Sequence, residues 1–272
     1  MCEPFAMSSR HPATVTISLD ELSRHGGLTG PHRDGWGIAS YAGADVRLIK
    51  EPQPASDSAY VRFIEQHDIR SRTVISHIRR ATRGEPSLAN SQPFCRELGG
   101  RMHVFAHNGD LPEIARRPGF GLGRFRPVDT TDSEHAFCAL LATMEPLWLN
   151  GDRKPSLPDR LGVLVQFAAS LRALGPANFL YCDGETLFVH AHERRQDGMP
   201  GVHPPGLHVL RRSCPAEPRP FSGQGVTIQW AADSQEVVLV ASVPLTGEGW
   251  APLGKGEILA VANGLILERL GA

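Results

Sequence analysis

Several large classes of protein are excluded by what this sequence lacks. Lysine and arginine number 28 against 29 aspartates and glutamates, for a formal charge of −1, so no basic field marks a nucleic-acid or anionic-membrane partner. No run approaches the ~18 apolar residues of a membrane span. The start of the chain lacks the basic and then apolar segments of an export leader. Cys2, Cys95, Cys138, Cys182 and Cys214 are odd in number and widely spread; without a CxxC pair or zinc-ligand spacing they fit a reducing compartment. There is no phosphate-cradling GxxxxGK[ST] motif, no internal repeat, and no Pro/Ser-rich linker long enough to divide the chain. These absences predict a cytoplasmic protein of one domain, residues 2–272, acting on a small molecule or with another protein, and not on nucleic acid or a membrane.

What is present reads as a layered α+β domain. TVTISLDEL opens with strand alternation and passes into a helical pattern. WGIASYAG and VRLIKE form a hairpin pattern, SAYVRFIEQH a helix, and RTVISHIRRAT and RMHVFAHNGDL strands that end in polar residues. DSEHAFCALLATME and LPDRLGVLVQFAASLRAL carry helical spacing, the first behind Asp132 as an N-cap. NFLYCDG, TLFVHAHE, GLHVLRR, VTIQW, EVVLVASVPL, GEILAVANG and LILERL then make a run of short strands.

Cys2 stands directly behind the initiator methionine. Once Met1 is clipped, as a small second residue allows, one residue carries both a thiol and a free amine. A thiol of pKa roughly 8.5 and an α-amine of roughly 7.7–8.0 are matched for proton exchange, so the amine can serve as the base that activates the thiol. Other polar clusters close apolar strands: Arg79, Arg80, Thr82 and Arg83 in HIRRATRG, Asn108 and Gly109 in AHNGD, and Asp132 in VDTTDSEHAF. Each has a plain alternative. Arg79 can be a surface charge, Asn108-Gly109 a type I′ turn, and Asp132 only a helix cap. His25, His32, His77 and His107 each read more readily as locally hydrogen-bonded residues than as catalysts. His190 and His192 share a strand face, but no third metal ligand accompanies them.

Cys2, HIRRATRG, NSQPF, HNGD and TDSEHAF, in that order, resemble the motifs of the class II, N-terminal nucleophile glutamine amidotransferases. DGWGI, GPANFLYCDG and ASVPLTGEGW resemble those of its stand-alone YafJ-type branch, related to ergothioneine-pathway amidohydrolases. The resemblance implies a four-layer αββα sandwich and an amidohydrolase that needs no metal or organic cofactor. It implies Cys2 as nucleophile, with the Asn108 side chain and the Gly109 N–H as the oxyanion hole. It implies Arg79 and Thr82 on the substrate's α-carboxylate and Asp132 on its α-ammonium. Asp34 and Trp36 are expected to shape the floor beneath the nucleophile, with Gly26 or Gly27 beside it.

The reaction implied is hydrolysis of the side-chain amide of glutamine or a γ-glutamyl compound through a Cys2 thioester. Two alternatives stand beside it: a glutaminase subunit feeding ammonia to a separate synthase, with a peptidase subunit as another partner, and a catalytically silent glutamine-sensing binder.

Overall fold

The computed structural model describes residues 2–17, 33–67, 69–81, 84–149, 154–196, 198–214, 221–223, 226–229 and 234–271. In chain order the strands begin with β1 (Glu3–Ile17), β2 (Trp36–Ala42) and β3 (Asp45–Glu51). Helix α1 (Ala59–Gln66) precedes β4 (Arg70–Ile78), β5 (Phe94–Leu98) and β6 (Arg101–Gly109). Helices α2 (Asp132–Leu149) and α3 (Leu157–Arg172) follow, then β7 (Ala177–Cys182), β8 (Leu187–His190) and β9 (His208–Cys214). The last strands are β10 (Phe221–Gly223), β11 (Val226–Gln229), β12 (Gln235–Ala241), β13 (Ala251–Pro252), β14 (Ile258–Ala262) and β15 (Leu265–Leu270).

These strands make two sheets. The first runs β13-β9-β12-β1-β4-β2-β3, with β11 also on β1 and β10 on β11; the second runs β15-β14-β8-β7-β6-β5. All named pairings are antiparallel. Strand periodicity sorts the side chains into three apolar interfaces. Ala6, Ile75, Val238 and Val240 of the first sheet meet Val104, Ala106, Leu180 and Val189 of the second. Phe5, Met7, Trp36 and Leu239 point the other way, toward Val61 and Ile64 of α1. Phe105, Phe179 and Phe188 lie under Phe137, Leu141 and Leu164 of α2 and α3. The result is the expected α+β sandwich, layered helix, sheet, sheet, helix.

Several strands depart from the sequence reading, the short β10 and β13 among them. β1 starts at Glu3, well before Thr14. Phe5, Ala6, Met7, Ser8 and Ser9 are all buried, so a strand covered on both faces shows no polar alternation to read. β5 was not foreseen, because FCREL is too short and too charged to stand out.

Candidate active site

The N-terminal end of β1 is pinned between neighbours: Glu3 pairs with Ile78 of β4, which also pairs with Trp36 of β2. Cys2 follows the parity of Ala6 and faces the second sheet. Its Sγ lies 3.4 Å from the Arg80 N–H, which donates to it, and 3.5 Å from the Arg80 carbonyl. Burial pushes the thiol pKa up, opposed by the Arg80 N–H and by the charge of Arg79. A thiol so placed can act as a nucleophile only if a base first takes its proton.

Arg79, just past the end of β4, is 4% exposed. Its Nη1 donates to the Asp34 and Glu85 carbonyls at 3.2 Å each, and its Nη2 to the Gly84 carbonyl at 3.0 Å. Asp34 Oδ2 accepts the Ala81 N–H at 2.7 Å. Arg79 thus braces the loops around Cys2, a task the sequence did not reveal. Trp36 corrects an expectation. It packs in the outer core against α1, with its Nε1 on Glu51 at 3.3 Å, so it does not floor the nucleophile. Thr82 and Arg83, like Gly26, Gly27, His25 and His32, lie outside the described residues.

On the second sheet, Asn108 and Gly109 do not form a turn; β6 runs through both, paired with Asn178 and Ala177. Gly109 has no room for a side chain, since a Cβ there would lie 1.8 Å from the Pro176 carbonyl oxygen. Asn108 shares the parity of Val104 and Ala106 and so faces the first sheet. It is 1% exposed, and among the described residues its Nδ2 has no hydrogen-bond partner. Such an orphaned donor is costly unless something else uses it.

Buried side chains hold this strand end. Gln92 Oε1 accepts the His107 N–H at 2.7 Å and its Nε2 donates to the His107 carbonyl at 3.2 Å. Asn178 Nδ2 donates to the Asn108 carbonyl at 2.9 Å. His107 Nδ1 meets Ser133 Oγ at 2.9 Å; burial lowers the His107 pKa despite the Asp132 charge, so the ring stays neutral. Gln92, Asn178 and Ser133 fall in NSQPF, GPANF and TDSEHAF, motifs visible in the sequence but with no role attached.

The two strand ends lie at one edge of the sandwich. Gly37, paired with His77, sits so close to Gln92 that a Cβ there would be 2.4 Å from the Gln92 carbonyl oxygen, and Gln92 grips His107. Asp132 joins the same edge as the first residue of α2. Its Oδ2 accepts the Leu111 N–H at 2.6 Å, while among the described residues Oδ1 has only the Ser133 hydroxyl at 3.3 Å. It is not the helix cap. Thr131 Oγ1 takes that place, accepting the Glu134 N–H at 3.4 Å, and Glu134 reaches back to the Val128 and Asp129 N–H groups at 2.7 and 2.6 Å. Asp132 therefore keeps one lightly used carboxylate oxygen.

His190 is committed elsewhere: Nδ1 meets the Ala177 carbonyl at 2.6 Å and Nε2 meets Arg172 Nη1 at 3.1 Å. Among the described residues no three His, Cys, Asp or Glu side chains cluster to hold a metal. Nor is any described helix long and apolar enough to cross a membrane.

A thiol at the head of a central strand, facing a second sheet across a sandwich flanked by helices, defines the architecture of the N-terminal nucleophile amidotransferases. The chain belongs to the class-II glutamine amidotransferases, whose family profile matches residues 1–270. It is 36% identical over 265 residues to YafJ of Escherichia coli (strain K12), covering 94% of this chain and 96% of that protein. The crystal structure of a predicted glutamine amidotransferase from Pseudomonas aeruginosa PA01 superposes with a TM-score of 0.70 at 34% identity, over 98% of this chain and 99% of that one. The glutamine phosphoribosylpyrophosphate amidotransferase of B. subtilis shares the fold alone: TM-score 0.58, 16% identity, 98% of this chain but 48% of that one.

Proposed function

We propose that the protein hydrolyses the side-chain amide of glutamine or a γ-glutamyl compound through a thioester on Cys2, after removal of Met1. The observation that carries this reading is the buried, unpartnered Asn108 Nδ2, turned toward the sheet that bears Cys2. A donor kept dry and unused is suited to an oxygen that becomes negative only during reaction.

In this mechanism the Cys2 amine takes the thiol proton, and Sγ attacks the amide carbon. The carbonyl π electrons move to oxygen, and the oxyanion is met by Asn108 Nδ2 and the Gly109 N–H. As the C=O bond re-forms, the C–N bond breaks and nitrogen leaves as ammonia, or as an amine, with the proton held by the α-ammonium. Water, deprotonated by the amine, adds to the thioester; the C–S bond breaks, glutamate leaves, and the thiolate recovers its proton. Only the chain's own groups and water take part.

For the amino-acid end, Arg79 and Thr82 receive the α-carboxylate and Asp132 the α-ammonium. The carboxylate shares the Arg79 guanidinium with the carbonyls that already hold it, and the ammonium takes Asp132 Oδ1, the oxygen not engaged by Leu111.

The test is N-terminal peptide mass spectrometry of protein produced without an N-terminal tag, before and after exposure to 6-diazo-5-oxo-L-norleucine, together with glutamate release from glutamine. The expected result is loss of Met1, one adduct on Cys2, and abolished turnover. Processed protein whose Cys2 stays unlabelled and which releases no glutamate overturns the reading.

A further inference from the structure

A second buried polar atom at the same edge has no task in the mechanism above. Ser242, in ASVPLTGEGW, is 1% exposed, and among the described residues its Oγ has no hydrogen-bond partner. Its backbone is fixed on both sides. The Ser242 N–H donates to the Pro4 carbonyl at 3.2 Å, which carries the β1–β12 pairing one step beyond Phe5 and Ala241. The Ser242 carbonyl accepts Arg194 Nη1 at 2.6 Å. The hydroxyl is therefore held at a fixed place and left unused.

That place is beside the nucleophile. Ser242 has the parity of Val238 and Val240, which face the second sheet, as Cys2 has that of Ala6. Backbone polar groups of a strand alternate in direction, so residues two apart point the same way. Pro4 bonds toward β12, hence the backbone nitrogen of Cys2 also points toward β12. In the mature chain that nitrogen is the free amine. A diagonal neighbour on an antiparallel pair is roughly 7–8 Å away between Cα atoms and less between side chains, a span that one water closes.

We propose that Ser242 is a positioning residue for the Cys2 amine: its hydroxyl accepts a hydrogen bond from that amine, directly or through one water, and stabilises the ammonium formed when the thiol gives up its proton. This rests on the reading of Cys2 as the mature first residue. The other charged or titratable groups around the pair, among the described residues, are His77 of β4, Arg79 just after it, Asp34 before β2, Arg80 beside Sγ, Arg194 after β8 and His208 of β9. Arg79 and Arg194 are cations that disfavour a nearby ammonium, so a neutral acceptor has a definite use here.

The experiment compares processed wild-type protein with Ser242→Ala. It follows the pH dependence of Cys2 alkylation by iodoacetamide, read on the N-terminal peptide, alongside kcat and KM for glutamine and the thermal midpoint. A hydrogen bond to a charged group lost from one protonation state is expected to raise the alkylation midpoint by about one pH unit and lower kcat about tenfold, with KM and the thermal midpoint unchanged. An alkylation midpoint equal to that of wild type overturns the proposal and leaves the glutaminase reading intact. Wild-type protein that shows the Ser242-dependent midpoint but no glutamine turnover supports the proposal and overturns the glutaminase reading.

Discussion

Replacing Gln92 should displace the proposed oxyanion donor, Asn108, by loosening the strand that carries it. β5 pairs with β6 as far as Phe94 opposite Phe105, and continuing that register would place residue 92 opposite His107. There the Gln92 side-chain amide, 5% exposed, stands in for the missing backbone ladder, with bonds of 2.7 and 3.2 Å to His107. Gln92→Ala leaves a buried N–H and a buried C=O unmet. At roughly 1–3 kcal/mol each the cost is about 2–6 kcal/mol, or a thermal midpoint lower by roughly 4–24 °C at this size. Because Asn108 is the next residue, small shifts of His107 misplace its Nδ2, and misplacement by ~1 Å can cost about 10²-fold in rate. Glutaminase kcat at a temperature where the variant remains folded should therefore fall at least tenfold. Gln92→Glu keeps an acceptor for the His107 N–H but sets a second carboxylate oxygen against the His107 carbonyl, so its stability should rise as pH falls and the carboxyl protonates. A Gln92→Ala protein with wild-type kcat, whatever its midpoint, would refute the idea that this clamp serves the oxyanion donor.

Asn108→Ala should lower kcat about 10²–10³-fold, the worth of one oxyanion donor, with circular dichroism unchanged; an unaltered kcat sinks that assignment. Asp129 is pushed up to about 7 by burial, against its bonds from Thr131. The native state thus holds a proton that the unfolded chain releases near pH ~4, so stability falls as pH rises between ~4 and ~7. Asp129→Asn should unfold later than wild type at pH 8 and lose that advantage at pH 4, a comparison that paired melts decide. Arg160 Nη1 and Asp183 Oδ2 form a buried ion pair at 2.5 Å. Asp183→Ala should cost roughly 3–5 kcal/mol in denaturant titration, and its kcat per folded molecule should not change, since Asp183 follows the end of β7 opposite the one that pairs with Gly109.

Much of the fold was legible because most strands and the three described α-helices carry an apolar pattern bounded by turn residues. What escaped notice did so for physical reasons. A strand buried on both faces, such as the start of β1, has no alternation. Thr131 and Asp132 are adjacent residues with equally good capping groups, and only the geometry of the first turn decides between them. Asn-Gly is a favoured turn pair, yet a glycine is also what a crowded strand end requires when the Pro176 carbonyl stands where a Cβ would be. Trp36 was assigned to the wrong face because DGWG shows no periodicity before β2 begins. Gln92 and Asn178 act through side-chain bonds to backbone far away in sequence, and no local pattern encodes such partners.

The topology also explains how the nucleophile proposed at position 2 can be held in place. Chain ends usually fray, and an ordered side chain there must offset the entropy of fixing it. Here β1 is an interior strand, with β4 on one side and β12 on the other. Ladder bonds hold both edges nearly to the end, through Glu3 with Ile78 and Pro4 with Ser242. Cys2 adjoins this double pinning, and its thiol is held by the Arg80 backbone. An edge strand would secure one side alone and leave Cys2 free to swing, losing the fixed position that the proposed attack requires. A break in either ladder near residue 4 should therefore reduce kcat more than it reduces stability.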